Sequence, residues 1–167
     1  MAVTTQILRT YRHPRQVMRG LLASIAEDAR PEARGLVYLL LGCVLIFISQ
    51  IPALVMMGDG AEGGAPRDAR LAITFFAWLF IWPLIFYALA GLSHLLARAM
   101  GARGRGADAR LALFWTVLTI SPLFLLRGLA EIAGSAAGLL AINLVVALAF
   151  VGIWAACLIE AETGAGP

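Results

Sequence analysis

Four apolar runs divide the chain, over residues 35–57, 71–97, 111–130 and 136–159. A helix rises about 1.5 Å per residue, so about 20 apolar residues cross a hydrocarbon core of about 30 Å. Each run reaches that length, and the pattern predicts four transmembrane helices. The segment after the first run, GDGAEGGAPRDAR, is rich in glycine and charge and reads as an aqueous loop. The bend between the second and third runs is short and carries Arg98, Arg103, Arg105 and Arg110. Its brevity makes the two flanking runs a hairpin.

Ahead of the first run the pattern changes. Val17, Met18, Leu21, Leu22, Ile25, Ala26 and Ala29 recur at helical period, with Arg15, Arg19, Glu27 and Asp28 on the other side. Pro14 suits a first helical turn, and the Arg30-Pro31 junction ends the segment. Residues 1–34 therefore form an N-terminal segment holding an amphipathic helix over 14–30. It is expected on the membrane surface with its arginines toward headgroups; packing on the bundle is the other way to cover its stripe. Residues 160–167, EAETGAGP, are expected to form a short frayed tail. The fold class is an all-α integral membrane protein, a four-transmembrane-helix bundle with an N-terminal amphipathic interfacial helix.

Composition makes lipid the solvent. Of 167 residues, 61% are hydrophobic and 14% charged, whereas a soluble domain carries about 25% charged residues. A chain this short cannot hide that much apolar surface within itself. All 13 basic residues are arginine, and they flank the apolar runs. That placement sets topology and meets anionic headgroups; it does not make a nucleic-acid surface. Arg12, Arg15, Arg19, Arg98, Arg103, Arg105 and Arg110 are the candidates for these roles. Arginine crowds the N-terminal segment and the second bend, while the first loop holds only Arg67 and Arg70 and the third only Arg127. The N-terminus is thus expected in the cytoplasm of a bacterial inner-membrane protein. No apolar stretch of signal-peptide type occurs among the N-terminal arginines, so no cleavable leader is expected.

Candidate chemistry is sparse. Cys43 and Cys157 lie inside apolar runs without metal-ligand spacing. No HExxH, GxSxG or Walker pattern occurs, and GARGRGAD lacks the GK[ST] ending of a phosphate loop. No catalytic residue, cofactor or metal site is expected. His94 closes the second run one turn before Arg98, placed for an interfacial hydrogen bond. Arg127 and Glu131 are one helical turn apart and suit an ion pair. Pro52, Pro83 and Pro122 are expected to kink their helices, with Ser121 placed to bond the carbonyl that Pro122 frees. Gly134 and Gly138 form a GxxxG at the start of the fourth run, and Asn143 offers an amide; these three are expected helix–helix contacts.

The order of several motifs resembles the Yip family, the Ypt/Rab-interacting membrane proteins, in its short bacterial form. The motifs are HPRQVMRGL at 13–21, HLLARAMG at 94–101, a glycine-arginine loop, the pair Phe114-Trp115 and the mid-span Ser121-Pro122. Members of that family commonly have five spans, and this chain predicts four. The resemblance implies a membrane-organising or accessory, partner-binding role through helix–helix contacts, with membrane lipids and another membrane protein or a second copy as partners. Three proline-broken spans point alternatively to a small transporter or channel component. A third expectation is that the N-terminal helix senses anionic lipid through Arg12, Arg15 and Arg19.

Overall fold

A computed structural model describes residues 3–26, 31–56, 66–102, 104–134 and 136–163. Helices account for nearly all of them, and no strand occurs among the described residues. In chain order they are α1 (Val3–Thr10), α2 (Pro14–Ala26), α3 (Pro31–Met56), α4 (Arg67–Phe76), α5 (Trp82–Ala99), α6 (Gly106–Ile132) and α7 (Ala136–Thr163). A π-helical turn, Ala77–Ile81, joins α4 to α5 in one continuous helix.

Four helices are long and apolar enough to cross a membrane: Glu32–Met56, Arg67–Ala99, Gly106–Ile132 and Ala136–Thr163. Three of the four begin before the apolar runs that announce them. Hydropathy marks where hydrocarbon lies, whereas hydrogen bonding carries a helix on through Glu32, Asp68 or Asp108 into water. The fourth run corrects the expected tail. Glu160–Thr163 belongs to α7, and Glu160, Ala161 and Glu162 are buried; residues 164–167 lie outside the described set.

Helix α6 is the centre of the bundle. Every residue from Leu111 to Ser121 is buried, so the helix is enclosed on all sides by α3, α5, α7 and the N-terminal helices. Its closest neighbour is α3, which runs parallel to it. A Cβ on Gly42 would meet the Leu118 backbone at 3.1 Å, and one on Gly128 would collide with the Ser49 carbonyl. Two glycines thus bring two backbones together along one seam, with Leu39, Cys43, Ile46, Leu113 and Val117 packed about it.

The GxxxG expected at the start of the fourth span is not a helix face. Gly134 lies in the turn between α6 and α7 at φ 69°, a left-handed conformation that suits glycine, and its N–H reaches the Glu131 carbonyl. Gly138 is in the exposed first turn of α7. The close-packed small residues are instead Gly42 and Gly128.

The prolines are accommodated in two ways. Pro122 leaves the Leu118 carbonyl without its helical donor, and Ser121 Oγ donates to it at 2.8 Å. Pro83 follows the π-helical turn, in which the Trp82 N–H bonds Ala77 and the backbone widens just before the proline ring. Pro52 sits inside α3 near its end.

The N-terminal segment holds α1 as well as the expected amphipathic helix, and the two form a hairpin. The stripe Val17, Met18, Leu21 and Ile25 is buried against Trp115, Ile153 and Cys157, so it is the bundle that covers it. Residues 27–30 of the expected helix lie outside the described set. At the hairpin tip, Trp115 Nε1 donates to Thr10 Oγ1 at 3.1 Å, and Tyr11 Oη donates to the Thr119 carbonyl. Burial raises the Tyr11 phenol pKa, which keeps it a donor. Tyr38 meets Trp115 edge-on, with ring centroids 5.3 Å apart.

Candidate functional site

Charge concentrates at one end of the bundle, formed by the starts of α3 and α6 and the ends of α5 and α7. We call it the basic end. The arginine-rich bend closes it. Gly101 at φ 92° ends α5 in a Schellman turn, with the Ala102 N–H on the Ala97 carbonyl and the Gly101 N–H on Arg98. Arg105 then caps α6 with its carbonyl, which accepts the Asp108 N–H at 2.9 Å. Asp108 in the first turn suits the positive end of the α6 dipole.

The last turn of α7 carries Glu160 and Glu162, two positions that face nearly opposite sides of a helix. Each meets a different element. Arg19 of α2 grips Glu160 with Nε and Nη2, and this hydrogen bond raises the arginine's already high pKa. His94 of α5 bonds Glu162 Oε1 through Nδ1 at 2.7 Å. The Glu162 side chain is only 4% exposed, and its Oε2 has no hydrogen-bond partner. The end of α7 is therefore held between the N-terminal hairpin and the second span.

The bend closes over this pair. A Cβ on Gly104 would lie 2.6 Å from Ala161 O and Glu162 Oε2, and one on Gly106 would lie 3.3 Å from the His94 ring. The glycine-arginine loop is thus a lid whose glycines let it sit against α7 and His94. Sequence reasoning missed Glu160 and Glu162, because they look like a tail unless the helix is known to continue. The signal was their spacing from Cys157 and Ile153, which keeps the apolar face of α7 in register to Ala161.

Replacing His94 by leucine leaves a buried carboxylate with no partner on either oxygen. Such a change is expected to cost about 1–3 kcal/mol, more for the ionised acid. Detergent-unfolding midpoints measure it, and H94Q, which retains a donor, should recover part of the loss. Equal stability of wild type and H94L would show that the pair does not hold α7.

The other expected site residues are spread out. Arg98 and Arg105 are exposed at the basic end, Arg12 and Arg15 are exposed on the N-terminal hairpin, and Arg103 lies outside the described set. Arg110 joins the start of α6 to the start of α3 through Glu32 at 2.7 Å. At the opposite end, Arg127 Nε donates to Asn143 Oδ1 at 2.8 Å and Nη1 to Glu131 at 3.2 Å. Asn143 is thereby an interhelical contact between α6 and α7 within one chain. Cys43 and Cys157 are free thiols in two different apolar clusters. Among the described residues, no group of histidine, cysteine and acidic side chains is placed to hold a metal ion.

Comparison with family models, with curated proteins and with solved structures returns no match to this chain.

Proposed function

We propose that this chain is a non-enzymatic, multi-pass protein of a bacterial cytoplasmic membrane, similar to the Yip family, that works as an accessory or membrane-organising subunit through lateral helix contact. The observation that carries the reading is unequal coverage. The most apolar window of α6 is 67% buried, while those of the second and fourth spans are 6% and 17% buried. One helix is enclosed by the rest of the bundle, and two pack on it along one side and leave a long apolar face uncovered. Gly91 and Gly152 lie exposed on these two helices, with open space where a Cβ would stand. Glycine there weakens the helix unless a neighbour's backbone comes close.

The hydroxyls at depth favour this reading over transport. Ser49, Ser93, Thr116, Thr119 and Ser121 are buried, and each donates to a carbonyl of its own helix. The proline-broken spans therefore surround an apolar interior with its polar groups turned inward on the backbone.

A photocrosslinker at Leu148, on the exposed side of α7, tests the association in intact membranes. One discrete protein adduct is expected, and Gly152→Trp should abolish it. Adducts to lipid alone would overturn the proposal. The orientation has its own test. A reporter fused after Gly104 is expected on the cytoplasmic side, and periplasmic activity would reverse the topology.

A further inference from the structure

We infer that the pocket where the α1–α2 turn meets α7 holds the phosphate of one anionic phospholipid, with Arg15 as its countercharge. The pocket has a volume of about 560 Å³, within the range of about 300–1,000 Å³ that small-ligand sites occupy. His13, Pro14, Arg15, Gln16 and Arg19 line it from the hairpin, and Ala156 lines it from α7.

Positive charge is in excess there. Arg19 turns Nε and Nη2 to Glu160, and that pair is neutral. Arg15 is exposed, and its guanidinium meets no carboxylate among the described residues. Gln16 accepts from Arg9 through its carbonyl oxygen, at 3.2 Å, and keeps its amide N–H groups as donors. His13 adds a ring N–H. What the lining offers a ligand is therefore a cation and a set of donors, which suits a phosphate oxygen. The ammonium of a zwitterionic headgroup finds no such match, because the carboxylate beside the pocket, Glu160, is already taken by Arg19.

Depth makes the occupant a lipid. The Pro14 carbonyl lies 4.0 Å from Cys157 Sγ. Cys157 is three residues inside Glu160 on α7, or about 4.5 Å deeper at the rise of a helix. The pocket thus spans the step from Glu160, where charge begins, to Ala156, within the apolar run 136–159. A phospholipid crosses the same step, from its phosphate to its first acyl carbons. A free phosphate would meet only the polar part of the lining.

The test is native mass spectrometry of the full chain in mild detergent, with phosphatidylglycerol and phosphatidylcholine of matched acyl chains in competition. Wild type is expected to prefer phosphatidylglycerol and to retain one molecule of it. An arginine near an anionic headgroup contributes a factor of about five, so R15Q should lower the preference about fivefold. A156W fills the pocket from α7 without removing charge and should also weaken retention. R98Q removes an exposed arginine of the basic end that does not line the pocket, and should leave the preference in place. Equal retention of the two lipids by wild type would overturn the inference. So would an unchanged preference in R15Q or A156W, or an equal loss in R98Q, which would mark a diffuse attraction. Inorganic phosphate in excess should not displace the lipid; displacement would assign the pocket to a free anion and overturn it too. Unfolding midpoints of the variants, expected near wild type, separate loss of lipid from loss of fold. If A156W does not fold, R15Q against R98Q, both at exposed positions, decides the matter.

Discussion

Trp115→Ala, at the largest fully buried side chain among the described residues, is expected to cost about 3–5 kcal/mol and to free the N-terminal hairpin. Trp115 has no exposed surface. Its ring packs edge-on against Tyr38, and its N–H is bonded by Thr10 at the hairpin tip. Alanine removes the ring, the aromatic pair and the hydrogen bond together. The cavity would open beneath Met18 and Leu21, the two stripe residues most completely buried. Two measurements check this: the unfolding midpoint in a denaturing-detergent titration, and protease cleavage after the arginines of α1 and α2. Trp115→Phe keeps an aromatic ring and loses the N–H with part of the indole volume, and should cost less than W115A, at least about 1 kcal/mol. A W115A midpoint within about 0.5 kcal/mol of wild type would mean that the hairpin is held elsewhere.

Gly128→Ala is expected to be nearly as damaging, at about 3 kcal/mol, although it adds one methyl group. The new carbon would collide with the Ser49 carbonyl, a backbone atom that cannot rotate away. Relief requires α3 and α6 to separate, and their separation loosens the seam as far as Gly42. Gly42→Ala meets the Leu118 backbone at 3.1 Å and should cost less. Gly20→Ala points into open space and should be neutral or slightly stabilising, as alanine improves an exposed helix. The ordering G128A, G42A, G20A is the observable. If G128A and G20A unfold alike, the seam does not require backbone contact.

The bundle was legible because hydrophobic length is a strong signal. Four runs of membrane length gave four helices, and the 3.6-residue stripe from Val17 to Ile25 gave α2. Other features depend on what surrounds a residue and leave little trace in pattern. Val3–Thr10 is amphipathic but only eight residues long, too short for its period to stand out, and Thr10 and Tyr11 tie its end to α6. Gly134 and Gly138 have the spacing of a helix contact, yet a helix end falls between them; Gly42 and Gly128 make that kind of contact from separate helices and share no motif. Glu160 and Glu162 followed an apolar run and resembled solvent-exposed ends. Their partners, Arg19 and His94, are 141 and 68 residues away. His94 was singled out from its place near Arg98, but nothing local names the carboxylate that meets it.

The double grip on the end of α7 also ties together parts of the chain far apart in sequence. Residues from Val3 to Ala26 find their seat on α6 and α7, which follow them in the chain. Without Glu160 Arg19 has no carboxylate to grip, and without Ile153 and Cys157 the stripe of Val17, Met18 and Leu21 loses its α7 neighbours and keeps those on α6. The last described turn of α7 thus adds a second hold on a hairpin that Thr10 and Tyr11 already tie to α6.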